Sequence, residues 1–212
     1  CIVDAGGSGS PITLNADGIS IEGFTVRNSG SWNAGIKVYS NNNRITDNNI
    51  SSNNWYGILL YYSSNNSITD NNISSNNCEG ILLYYSSNNS ITDNNISSNN
   101  YDGICLLDSS NNSITDNSIS NNRNGILLYH SSNNSITDNS ISSNNYDGIL
   151  LDYSSNNSIT DNNISNKRNG IFLWYSSNNR IYLNNFIDNR DNVCSYCPAN
   201  IWNSTEEMTY TY

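Results

Sequence analysis

The sequence predicts an all-β fold, a single-stranded right-handed parallel β-helix wound in coils of 22 or 23 residues. Two observations carry this. Gly35, Gly57, Gly80, Gly103, Gly125, Gly148 and Gly170 recur at that interval, each followed by Ile. A second marker, Ile45, Ile68, Ile91, Ile114, Ile136, Ile159 and Ile181, tracks the first, and from Gly57 onward each lies 11 residues after its glycine. The change in coil length therefore falls in the Asn-rich turn that follows, confined to one corner as a loop would be.

Each element of the coil follows from its pattern. In the coil beginning at Gly57, the residues Ile58, Leu60, Ser63, Asn66, Ile68, Asn71, Ile73 and Asn76 form an inward set, stepping by two within strands and by three at corners. Three short strands result: Ile58 to Tyr61, Asn66 to Thr69 and Asn72 to Ser74. None buries its face alone, so stacking must supply the core. Like residues then lie above one another at about 4.8 Å. The Asn columns (Asn48, Asn71, Asn94, Asn117, Asn139, Asn162, Asn184 and Asn66, Asn89, Asn112, Asn134, Asn157, Asn179) are expected to bond one another or the turn backbone, because a buried amide without partners is costly.

Three segments are expected. Residues 1–34 give an N-terminal strand and an Asn-poor first coil, with Ile12, Leu14, Ile19, Ile21, Phe24 and Val26 inward. Residues 35–191 are the regular coils, about eight coils and roughly 38 Å of axis with the first included. Residues 192–212 read as an irregular segment around Cys194-Ser195-Tyr196-Cys197. Uncapped ends are edge strands, which makes end-to-end self-association into a fibre or sheet one expectation.

Charged residues are only 12% of the 212 and the formal net charge is −10. That balance disfavours nucleic acid and anionic membrane surfaces as partners. Direct membrane insertion is not expected either, since no apolar run approaches the roughly 18 residues of a span. Cys1 shows no signal-peptide pattern and the chain starts in mid-pattern, as a mature product or excised segment would. The CxxC lacks a second pair, so a local disulfide, a free pair and a weak metal site all fit it.

The pattern Gly-Ile-x-Leu-x-x-Ser-x-Asn-Asn-x-Ile-x-x-Asn-x-Ile-x-x-Asn, running from residue 35 to 190, resembles the NosD-like right-handed β-helix repeat of carbohydrate-binding proteins and sugar hydrolases. The opening, Val3-Asp4-Ala5-Gly6-Gly7 through Gly18-Ile19-Ser20-Ile21-Glu22-Gly23-Phe24, resembles the first coil of such domains in cell-surface proteins of methanogenic archaea. So do Tyr182-Leu183-Asn184-Asn185-Phe186 and Asn200-Ile201-Trp202-Asn203-Ser204 near the end. The resemblance implies a fold shared by enzymes, binding modules and surface-layer components. The copper that the family name suggests would need several soft or imidazole ligands, and this chain has one His and one Met.

Candidate sites lie in the outward columns. On the first strand Leu59, Leu82, Cys105, Leu127, Leu150 and Phe172 form one column; Tyr61, Tyr84, Leu107, Tyr129, Asp152 and Trp174 form a second. A corner column reads Tyr62, Tyr85, Asp108, His130, Tyr153 and Tyr175. The sequence predicts an exposed apolar face, which calls for a ligand, a partner or a covering segment. Tyr and Trp rings at coil spacing suit the apolar faces of pyranoses. His130 between Asp108 and Asp152 reads as the one acid/base constellation, with Lys37 the only base on that face.

Two further columns carry weaker signals. Asp47, Asp70, Asp93, Asp116, Asp138 and Asp161 stack at one corner, where calcium could bridge them, though turn carboxylates also bond local N–H groups. Ser67/Thr69 and its repeats form a flat hydroxyl array, and outward Asn residues such as Asn65, Asn72, Asn88 and Asn95 sit in glycosylation sequons. The expectation is therefore a non-catalytic extracellular or cell-surface scaffold that requires no cofactor. It would bind polysaccharide or a neighbouring cell-surface protein through its Leu/Tyr/Trp face. The alternative is a polysaccharide lyase, epimerase or hydrolase using His130, Asp108 and Asp152.

Overall fold

A computed structural model describes residues 1–165 and 168–202. Twenty-six strands of three to six residues build three parallel sheets of nine, nine and eight strands. Every third strand along the chain joins the same sheet, so each strand pairs with its counterpart one coil away. The result is the parallel β-helix that the repeat predicts, with about eight coils and no helical element among the described residues.

We call the sheet that follows the glycines the front sheet. Its register aligns Ile58, Ile81, Ile104, Ile126, Ile149, Ile171 and Val193. The second sheet contains Ser67–Thr69, one residue shorter than expected, and the third Asn72–Ser74. Inward Ile and Leu side chains from the three sheets form one continuous core, almost all without solvent contact. Leu14 and Val26 start that core, and Ile12, Ile19, Ile21 and Phe24 pack against it from the N-terminal end.

Buried amides are satisfied along the axis. Asn94 is representative: its Oδ1 accepts the backbone N–H and the Nδ2 of Asn71, both at 3.0 Å. Its own Nδ2 donates to Ile68 O, Thr92 O and Asn117 Oδ1. A third ladder, Asn53, Asn76, Asn99, Asn122 and Asn144, runs the same way. Inward serines form a fourth, in which the N–H of Ser63 donates to Ser86 Oγ and so on up the stack.

The C-terminal portion keeps the frame further than its sequence suggests. Asp191–Ser195 pairs with the front sheet. Cys197 occupies the serine column, its Sγ accepting Ser176 N–H, and Asn200 Oδ1 continues the Asn66 column by accepting from Asn179. Cys194 instead aligns with Phe172 on the outward side. The two sulfurs of the CxxC thus face different sides of the strand, and both are free thiols. Residues 203–212, the rest of the expected C-terminal segment, lie outside the described residues.

Candidate functional site

The outward side of the front sheet is a groove with a floor and two walls. Leu59, Leu82 and Cys105 make the floor, at 7%, 5% and 2% exposure, which corrects the expectation of an open apolar face. The reason is local: Tyr56 on one side and Tyr84 and Leu107 on the other pack over these residues in a second small core, which Leu127 continues along the floor. What remains open is a rim of rings. Tyr61, Tyr62, Tyr85, Tyr129, Tyr153, Trp174 and Tyr175 are exposed, whereas Tyr84 and Phe172 are half-buried.

The corner column holds its rings in register. Tyr62 stacks on Tyr85 at 4.9 Å between centroids and 11° between planes; His130 stacks on Tyr153 at 5.1 Å and 8°, and Tyr153 on Tyr175 at 4.9 Å and 10°. Except at Tyr153, which follows Asp152, each ring also meets its chain neighbour edge-on, as Tyr85 does Tyr84 at 4.6 Å and His130 does Tyr129 at 4.4 Å. All six corner residues have φ between 45° and 50°. Left-handed backbone costs a side-chain-bearing residue on the order of 1 kcal/mol, so each Tyr here is held against its preference by the stack and the coil.

Asp108 interrupts that ladder. With Leu107 beside it, it leaves a gap one coil high between the upper face of Tyr85 and the lower face of His130, about 10 Å apart at two coil spacings. Asp152 belongs to the neighbouring column, aligned with Tyr129 and Trp174. Its Oδ1 is sealed from solvent without a hydrogen-bond partner. Burial raises its carboxyl from the ordinary range, and His130 works in the opposite direction. Among the described residues the ion pairs are Arg27–Asp4 and Arg190–Asp191, so His130 makes no carboxylate contact within 4.0 Å.

A second constellation lies in the opposite wall, and sequence reasoning missed it. Glu79, Asp102 and Cys105 bring ligand atoms within 4.8 Å of one another. Glu79 and Asp102 each immediately precede a repeat glycine, and Cys105 stands where other coils have Leu. Cys78 is buried beside them. Its thiol is pushed up to about 12, mainly by burial and then by the Glu79 carboxyl. Burial likewise raises Glu79 and drives Cys105 well above the usual thiol range. Arg123 sits at the rim between Tyr101 and Tyr146, 5.8 and 5.6 Å from their rings. Basic groups on this side are therefore not limited to Lys37. The signal available in the sequence was the column before each glycine: Tyr56, Glu79, Asp102, Asn124, Asp147, Asn169.

Asp102 makes the wall pH-sensitive. Burial lifts its carboxyl from 3.8 to about 6, against the hydrogen bonds of Asn124, with a further push from Glu79. The folded chain thus keeps a proton that the unfolded chain releases near 3.8, so this group's contribution is full below that pH and is lost as pH rises through about 6. The loss is on the order of 3 kcal/mol. Asp102→Asn, which keeps an oxygen for Asn124, is expected to flatten this part of the profile and to raise stability at pH 7. Denaturant unfolding of metal-free wild type and variant at pH 4 and 7 checks it; parallel profiles would refute it.

The Asp47, Asp70, Asp93, Asp116, Asp138 and Asp161 column is exposed, each residue at a left-handed corner with φ between 55° and 59°. It brings no three metal-ligating side chains together; among the described residues only Glu79, Asp102 and Cys105 meet in that way.

The chain's backbone is similar to those of several solved structures. The A-module of mannuronan C-5 epimerase AlgE4 from Azotobacter vinelandii superposes with a TM-score of 0.77 and 18% identity, over 89% of this chain and 58% of that one. Tailspike protein 2 from Escherichia coli O157:H7 bacteriophage CAB120 gives 0.77 and 16%, over 92% and 33%. The periplasmic alginate epimerase AlgG gives 0.65 and 19%, over 90% and 49%. The chain thus spans about a third to three fifths of their lengths, and identities this low carry the fold alone. No curated protein matches the sequence. The sequence model of the right handed beta helix region matches residues 1–92 and 34–186, which together cover most of the coils. The chain belongs to the right-handed β-helix family.

Proposed function

We propose that the chain is a non-catalytic extracellular scaffold that binds polysaccharide on the front-sheet rim. The observation that carries this reading is the gap at Asp108. Rings inside a continuous stack offer only their edges, because each face is covered by the next ring. At the gap, no ring covers the side of Tyr85 that faces His130 or the side of His130 that faces Tyr85, and the two are about 10 Å apart. That spacing admits one pyranose between them, with an apolar face toward each ring, and the Asp108 carboxylate below to accept hydroxyl hydrogens. The fold's occurrence in epimerases named for mannuronan and alginate supports a carbohydrate ligand. Surface display and end-to-end self-association of coils fit the same reading.

Two variants test it on a glycan array. Tyr85→Ala with His130→Ala removes both faces and is expected to weaken binding by about fivefold to 150-fold, since two stacking contacts are each worth about 0.5–1.5 kcal/mol. Asp108→Tyr closes the gap with the residue other coils already carry in the same left-handed backbone. It is expected to abolish binding while leaving the fold intact. Glycan binding that survives Asp108→Tyr would sink the proposal, as would the absence of any glycan ligand for the wild type.

A second reading is favoured by Asp152, whose orphan oxygen and raised carboxyl lie beside His130. Those two groups and Asp108 could act as acid and base on a bound uronate, in the manner of a lyase, epimerase or hydrolase. New reducing ends, unsaturated products or solvent deuterium in recovered glycan, lost with His130→Ala, would establish it over simple binding.

A further inference from the structure

We propose that Cys78, Glu79, Asp102 and Cys105 hold a thiophilic divalent cation, zinc by the chemistry of the donor set, which clips two adjacent coils together at the groove wall. The geometry comes first. Tetrahedral zinc with sulfur at about 2.3 Å and oxygen at about 2.0 Å sets its ligands roughly 3.5 Å apart. Glu79, Asp102 and Cys105 already place one ligand atom each within 4.8 Å of the others. Rotation of the long Glu79 side chain would close the difference, and buried Cys78, whose sulfur lies outside that 4.8 Å group, would turn toward it to supply the fourth donor.

Three further facts point to a ligand. Glu79 Oε2 is sealed from solvent with no hydrogen-bond partner of its own, although the Cys78 thiol lies against the same carboxylate. Arg123 acts on both carboxylates only from beyond 4.0 Å, so neither has a cationic side chain in contact among the described residues. The outer arrangement is built as well: Asn124 fixes Asp102 Oδ1 through its N–H at 3.2 Å and its Nδ2 at 2.8 Å. Apolar Leu59, Leu82, Tyr84 and Leu107 keep water from the inner side.

Repetition sharpens the case. The repeat creates ladders of Asn, Ser and Asp without any selection for a site, so a column of like residues says little about ligands. Departures from the repeat say more. Cys105 interrupts a column that reads Leu59, Leu82 and Leu127, and Glu79 is the one Glu in a column that otherwise reads Ala34, Tyr56, Asp102, Asn124, Asp147 and Asn169. Glu79 and Cys105, 26 residues apart in sequence, meet Asp102 at one point in space. Thiolate donors select zinc or cadmium over calcium and magnesium, and two carboxylates disfavour the all-sulfur preference of copper(I).

Cobalt(II) titration of the reduced, chelator-treated full chain tests this. The expected result is one equivalent bound, with a thiolate-to-cobalt charge-transfer band and intense tetrahedral visible bands, both displaced by zinc. Cys105→Leu restores the residue of the coils on either side, so it keeps the fold; it should remove most of the charge-transfer band and the zinc-induced rise in melting temperature. Glu79→Gln should weaken binding at least about tenfold, and Cys197→Ser should change nothing. No thiolate band at one equivalent, or an unaltered band in Cys105→Leu, overturns the proposal.

Discussion

Asn94→Leu is expected to destabilise the chain by about 3 to 5 kcal/mol, although Leu shares the branched heavy-atom outline of Asn. The Asn94 carboxamide accepts both the N–H and the Nδ2 of Asn71 and gives its own protons to Ile68 O, Thr92 O and Asn117 Oδ1. Its loss strands the buried N–H of Asn71, at about 1–3 kcal/mol, removes one of the three acceptors of Asn71 Nδ2, and leaves three acceptors under-satisfied. Burying more apolar surface returns only part of that. Because stability in a stack is a sum of coil and interface terms, a fault in the middle should also broaden the transition as the two halves uncouple. Asn95→Leu, on the exposed side of the same turn, should stay within about 0.5 kcal/mol of wild type. Guanidinium unfolding of the two variants decides the matter: equal midpoints would mean that the ladder is ornamental rather than structural.

The fold was legible because the repeat writes the coil boundaries into the sequence. Spacing alone places Ile58–Tyr61 and Asn72–Ser74 to the residue. The inward set and both Asn columns follow from it. Spacing could not show what an outward side chain does once its neighbours are in place. Leu59 and Leu82 alternate with core residues and read as exposed, yet Tyr56 and Tyr84 fold over them. Columns were easy to see and cross-column meetings were not. Glu79 and Asp102 share one column, but Cys105 reaches them from a different one, three residues beyond Asp102. The same limit hid the meaning of Asp108: as one member of a list it is an acid near a histidine, and only the ring stacking on either side shows it as a gap.

Gly103→Ala is expected to lower the melting temperature by about 10 °C, from a cost near 3 kcal/mol in a domain of this size. The reason differs from that usually attached to glycine, since Gly103 does not have positive φ. A Cβ there would lie 2.5 Å from Ile119 Cγ2, 2.7 Å from Gly125 O and 3.1 Å from Asn122 Nδ2. The first is a core side chain held by three sheets, and the second is backbone of the next coil. That carbonyl cannot retreat, because it accepts the N–H of Ile104 at 3.1 Å, one rung of the front-sheet pairing. Room for a methyl group can come only from parting the coils where Asp102 and Cys105 meet. Gly18→Ala provides the contrast: its φ is +74° but nothing lies within 4 Å of the new methyl, so backbone strain on the order of 1 kcal/mol is the whole expected cost. If thermal unfolding places the two variants together, the front sheet yields at its glycine edge, and the close approach of coils is not what the repeat's glycine protects.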